Sequence, residues 1–450
     1  MISADYISQS RRTFILAYPV MLSQLGQVLV GVADSVMVGQ LGTEPLAAVS
    51  LGNSVFVLFL TFGIGMSYGI TPLVAKADGE KNYKSIIEIL KHGFLINGLT
   101  GFVLLALLLT TSMVFPYLDQ PDEVVVLAKP YFMIISISII PFMFFQVFRQ
   151  FAEGLSLTKQ SMFVTISGNV INIILNYIFI FGKFGVPAYG ILGAGIATLL
   201  ARIYMAIAMM VFVVYAKYFK DYWPYFDKKY YNRQLVKRIL NIGLPSGLQF
   251  IFEVGAFSLA AIMIGWLGAS SLAAHQIAIN MAAITYMMAT GIASATTIRV
   301  GNQLGRKDIV TMRQVGFIGF ILSGVFMSIT ALILIAGRYY FPTLYIHEAE
   351  VIEIASGLLL IAAIFQISDG IQVVGLGALR GMSDVRIPTM ITLFAYWVLA
   401  LPIGYFLGIY LKLGAFGVWI GLLTGLSITA VMLLIRFNRL SNLKLKEITP

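Results

Sequence analysis

The chain has 450 residues and a formal net charge of +10, yet 59% of its residues are hydrophobic and only 11% are charged. Soluble domains average about 25% charged residues, and no water-soluble fold hides this much apolar surface, so a soluble enzyme or binding module is excluded. The absence of cysteine excludes disulfides, thiolate metal sites and cysteine catalysis, and the widely spaced His92, His275 and His347 argue against a structural metal centre.

Apolar stretches long enough to cross a bilayer fall at 13–40, 45–75, 88–115, 125–155, 160–182, 189–216, 240–266, 270–300, 313–341, 350–380, 386–411 and 414–436. The first has no small-residue cleavage site and reads as a retained span, not a signal peptide. Lys and Arg placement sets the orientation. With the N-terminus inside, the outer loops hold only Lys129, Lys183, Arg338 and Lys412, whereas Arg11, Arg12, Lys76, Lys81, Arg306, Lys307 and Arg436 fall inside. Acids mark the outer loops, as at Asp119, Asp122, Glu123, Glu348 and Glu350. Both termini are therefore expected in the cytoplasm of a plasma (inner) membrane protein. The basic charge then serves topology and contact with anionic lipid, and no nucleic-acid partner is expected. The longest inner connection, 217–239, mixes basic and aromatic residues and reads as an amphipathic linker at the membrane surface.

The chain repeats itself. Pro19 and Pro245, Gly39 and Gly265, Leu41-Gly42 and Leu267-Gly268, Thr71 and Thr297, and Gly79 and Gly305 all share an offset of 226. Gly154-Leu155-Ser156 matches Gly381-Met382-Ser383 at 227, and GILGAGIA at 190–197 resembles GAFGVWIG at 414–421 at 224. Six spans per repeat make the repeat parallel. The expected fold is an all-α polytopic membrane protein. Its twelve transmembrane helices form two parallel-repeat six-helix lobes around a central cavity, divided as 1–216, a linker at 217–239, and 240–450.

Nearly all acids sit in loops or near span ends; three lie deep inside spans, Asp34, Glu253 and Asp369. A carboxylate there costs at least ~2.5–3.5 kcal/mol, so it is normally paired or lines a wet cavity. Polar neighbours recur at helical spacing: Gln24, Gln27, Gly31 and Asp34; Asn169, Asn172 and Asn176; Gln249 and Glu253; Gln276 and Asn280. The acids break the repeat, since Asp34 aligns with Ala260, Glu253 with Gln27, and Asp369 with Phe142. Arg202, inside the sixth span, is expected to snorkel toward the cytoplasm.

The runs GVADSVMVGQLGTEPLAAVSLGN (31–53), NVINIILNYIFIFG (169–182), LQFIFEVGAF (248–257), SLAAHQIAIN (271–280) and QISDGIQVVGLGALRGMSD (366–384) resemble the MATE (multidrug and toxic compound extrusion) transporters over about 13–436. Glu253 together with Asp369 resembles the NorM-like branch. The resemblance implies that Asp34, beside Asn172, Asn176 and Thr198, couples transport to Na⁺ or H⁺, and that Glu253 and Asp369 form a second cation site. Two positions depart from family patterns: Asn176 stands where an archaeal branch has a carboxylate, and Phe365 stands where some members have tyrosine. Gln249, Asn280, Tyr286 and Phe365 complete the expected second site, with Phe252 and Met287 nearby as candidate contacts for an aromatic drug.

The implied function is secondary antiport. Organic, cationic or aromatic substrates leave by alternating access as Na⁺ or H⁺ enters, with no cofactor, no structural metal, no catalytic residue, and a monomer in the bilayer. Two rivals are weighed. A lipid-linked saccharide flippase tends to line its cavity with basic residues, whereas the deep charges here are acidic. An intramembrane aspartyl enzyme would carry a GxGD motif, which is missing.

Overall fold

The computed structural model describes residues 4–117, 121–216, 219, 222 and 231–447, and among these it has twelve helices long and apolar enough to cross a membrane, as expected. They are α1 (Tyr6–Gly39), α2 (Thr43–Gly79), α3 (Tyr83–Tyr117), α4 (Asp122–Gly154), α5 (Thr158–Phe181), α6 (Ile191–Tyr215), α7 (Arg233–Gly265), α8 (Ala269–Gly305), α9 (Ile309–Gly337), α10 (Ala349–Gly381), α11 (Arg386–Tyr410) and α12 (Gly414–Lys446). Large apolar side chains stand on their outer faces, Leu99, Phe163 and Leu332 among them, which suits hydrocarbon and not water. Most of the linker expected at 217–239 lies outside the described residues. Its end, from Arg233, is already the first turn of α7.

The repeat is written in the backbone. Left-handed φ recurs at Lys81 and Lys307, at Ser156 and Ser383, and at Gly190 and Gly414, with offsets of 226, 227 and 224. Gly42 and Gly268, at φ 126° and 115°, open α2 and α8 in a conformation that an L side chain rarely adopts. Asn82 caps α3 by accepting from the Ser85 amide, and Asp308 caps α9 by accepting from the Thr311 amide, each at 3.0 Å.

The departures from the repeat have a local cause. α2 breaks at Tyr68–Ile70 into three tight i→i+3 turns, and α4 breaks at Ser138. Pro72 and Pro141 follow these breaks and cannot donate to the carbonyls of Tyr68 and Ile137. Their counterparts, Ile298 and Ser368, are not prolines, and α8 and α10 run through. α11 instead widens into π-helical turns at Phe394–Ala400 and Phe406–Tyr410.

The chain divides into two compact units, Leu22–Gly247 and Met1–Met21 with Leu248–Pro450. This differs from the expected boundary at the linker. Each change of unit falls two residues after a repeat-equivalent proline, Pro19 in α1 and Pro245 in α7, where a helix loses a backbone bond. Glycines then seat the transferred segments. In the 22–247 unit a Cβ on Gly65 would lie 2.5 Å from Gly247 Cα. In the other unit a Cβ on Gly291 would lie 2.8 Å from the Met21 amide nitrogen. That second unit also holds α1 through Arg299, whose Nη1 donates to Gln9 O and Thr13 Oγ1, both at 2.6 Å, and whose Nη2 donates to Gln9 Oε1.

Candidate functional site

In the 22–247 unit, helical spacing in α1 brings Gln27, Gly31 and Asp34 to one face, and they line a cavity of about 290 Å³ with Asn169 and Asn172 of α5 and Thr198 of α6. Asn176 Nδ2 donates to Asp34 Oδ1 at 2.5 Å and to Asn172 Oδ1 at 3.1 Å. Asn172 Nδ2 in turn donates to Thr198 Oγ1 at 3.4 Å. Asp34, Asn172, Asn176 and Thr198 therefore form one hydrogen-bonded chain across three helices. A carboxylate that accepts from one amide donor and lines a cavity is suited to exchanging a small cation or proton.

Arg202 differs from its expected course. It does not snorkel; it lines the same cavity, with its guanidinium 4.9 Å from the Phe56 ring centre and 5.1 Å from that of Phe142. Its position four residues after Thr198 was the available signal, since i and i+4 share a helix face. Asn53 and Tyr131 also line the cavity, Tyr131 donating to Asn53 Oδ1 at 3.1 Å. Nothing in the pattern of α2 and α4 marked them.

The second cluster lies in the other unit. Glu253 on α7 and Asp369 on α10 are both buried and interact electrostatically. Gln372 Nε2 donates to Glu253 Oε1 at 3.3 Å, and Tyr396 Oη donates to Gln372 Oε1 at 3.1 Å. Among the described residues, Glu253 Oε2 and the buried Gln249 Oε1, one turn apart on α7, have no hydrogen-bond partner. Gln249 and Glu253 thus each keep an acceptor without a donor, the condition that suits a cation. Of the remaining expected residues, Asn280 accepts from Gln276 Nε2 at 3.0 Å on α8. Tyr286 is half-buried and within electrostatic reach of Tyr396. Phe365 is buried among Phe257 and Trp419, 6.0 and 5.7 Å between ring centres. Gln372 and Tyr396 were missed by the sequence reading. Gln372 is three residues past Asp369, but Tyr396 sits in an aromatic run with no polar pattern.

No group of three or more His, Asp or Glu side chains arranged to hold a metal occurs among the described residues. The MatE family model matches the chain twice, over residues 19–178 and 245–406, and the two matches start on the repeat-equivalent prolines. The chain belongs to the MATE family. The multidrug resistance protein NorM of Photobacterium profundum is 36% identical to it over 439 residues, covering 96% of both chains. The multidrug resistance protein MdtK of Photorhabdus laumondii is 36% identical over 438 residues with the same coverage. Among solved structures, the outward-facing form of a multidrug resistance MATE transporter of the MOP superfamily matches with a TM-score of 0.89 at 21% identity, covering 97% of each chain. This MATE chain is accordingly a multi-pass membrane transporter.

Proposed function

We propose that this chain exports organic cations and aromatic drugs by antiport, taking in Na⁺ or H⁺ in exchange and working by alternating access in the plasma membrane with both termini cytoplasmic. The observation that carries the reading is the buried pair Glu253 and Asp369, which has no ion-pair partner among the described residues. Two such carboxylates are retained in a membrane only if cations or protons neutralise them during the cycle. Drug loading uses the ionised acids. The incoming ion occupies them and releases the drug, because coupling requires one ligand to bind one state better than the other. Asp34, with Asn172, Asn176 and Thr198, supplies a second ion-binding carboxylate in the other unit. The full-length similarity to proteins named for multidrug resistance supports the same reading, and so do the deep acids where a saccharide flippase would need several bases.

The test is ethidium efflux from proteoliposomes with a Na⁺ gradient and a pH gradient imposed separately. Efflux driven by one of them, and abolished in Glu253→Gln and Asp369→Asn, is expected. Efflux indifferent to both gradients would exclude antiport.

A further inference from the structure

The cavity of the 22–247 unit contains a fixed cation that the antiport reading leaves unused. Arg202 Nη1 donates to Ser138 Oγ at 2.7 Å, and the guanidinium lies over the rings of Phe56 and Phe142. A hydroxyl and two π faces hold a guanidinium in place but leave its charge intact. Among the described residues Arg202 meets no carboxylate at ion-pair distance. Asp34 lines the same cavity, and its charge, that of Arg202 and the Tyr131 hydroxyl interact across it. The repeat adds an independent point. Phe142, which carries the guanidinium, is the counterpart of Asp369. One unit places its acid in a cavity with a resident cation, whereas the other sets its acid against a second acid.

We propose that Arg202 is a built-in counter-cation for Asp34, which competes with the incoming Na⁺ or H⁺ for that carboxylate and promotes its release. The proposal rests on Asp34 being a coupling carboxylate. A fixed positive charge lining the same cavity stabilises the empty carboxylate and opposes a second cation. It therefore sets how much coupling ion is needed to fill Asp34 and keeps the filled state from becoming a trap. Because no ion pair is formed, the carboxylate remains open to the ion.

Gradient-driven ethidium efflux by the full chain in proteoliposomes tests this, read as a half-saturating coupling-ion concentration and a maximal rate. Arg202→Met is expected to lower the half-saturating concentration on the order of tenfold and to lower the maximal rate, because release slows. Arg202→Lys retains the charge and is expected to restore the half-saturating concentration. In an Asp34→Asn background Arg202→Met is expected to shift nothing. Equal shifts in the Met and Lys variants, or a shift that persists without Asp34, would overturn the proposal and leave Arg202 a packing residue. If Asp34→Asn alone keeps full ion-driven efflux, the coupling role of Asp34 falls, and the proposal with it, a result distinct from the previous one. If Arg202→Met does not reach the membrane folded, Arg202→Gln, which keeps a polar planar group and removes the charge, takes its place with the same expected shift.

Discussion

Gln372 donates its amide hydrogen to Glu253 Oε1 at 3.3 Å, joining α10 to α7 at the buried acid. The same amide accepts from Tyr396 at 3.1 Å on the π-helical part of α11, so a residue that does not touch the carboxylate decides which way its donor points. Tyr396→Phe leaves Gln372 Oε1 buried without that donor, at a cost of about 1–3 kcal/mol. It also frees the amide to turn. The expected result is a severalfold rise in the half-saturating coupling-ion or drug concentration with a smaller loss of maximal efflux. Measuring efflux rates against ion and drug concentration checks it, and an unchanged concentration dependence would show that Tyr396 only packs.

Arg149 and Glu153 on α4 form a buried pair at 2.7 Å, with side chains 6% and 3% exposed. Removing Arg149 takes from the buried Glu153 the cation it pairs with. Arg149→Met is expected to destabilise by about 3–5 kcal/mol, while Arg149→Met with Glu153→Leu recovers most of that loss, because two apolar side chains replace two desolvated charges. Thermal unfolding of the detergent-purified single and double variants measures the difference.

Gly65 of α2 has no room for a side chain against Gly247 of α7. Because the atoms in the way are backbone, Gly65→Ala forces the two helices apart, at a cost of typically about 1–3 kcal/mol. A lowered unfolding temperature is expected, with little change where a glycine faces open space, as at Gly324. Comparing Gly65→Ala with Gly324→Ala in one thermal assay isolates the effect of the close approach.

Arg299 of α8 holds the start of α1 through Gln9 and Thr13. Arg299→Leu removes all three of these donations to α1. Backbone amides over residues 6–21 are then expected to exchange faster with deuterium, while those of α5 stay as slow as in the parent. Hydrogen-exchange mass spectrometry resolves this by peptide.

Composition, basic-residue placement and the 226-residue offset by themselves determined twelve helices, a parallel repeat and the three acids. Each of these is a regularity along the chain, and bilayer thickness converts apolar length directly into spans. The chain of Asp34, Asn172, Asn176 and Thr198 was legible because helical spacing marked Asp34, Asn172 and Asn176 and the family resemblance added Thr198. Tertiary structure decided the rest. The unit boundaries fall inside α1 and α7 because a half-helix packs wherever facing glycines let it approach, as Gly65 and Gly291 do; the repeat marks these glycines and the prolines, but not the backbone each glycine faces. The course of Arg202 was set by Ser138, Phe56 and Phe142, which lie between 60 and 146 residues away in sequence. Tyr396 is hydrogen-bonded to Gln372, which in turn donates to Glu253. A side chain's charge can be read from the sequence, but the partner that holds it is chosen by the packing of helices that meet only in the folded chain.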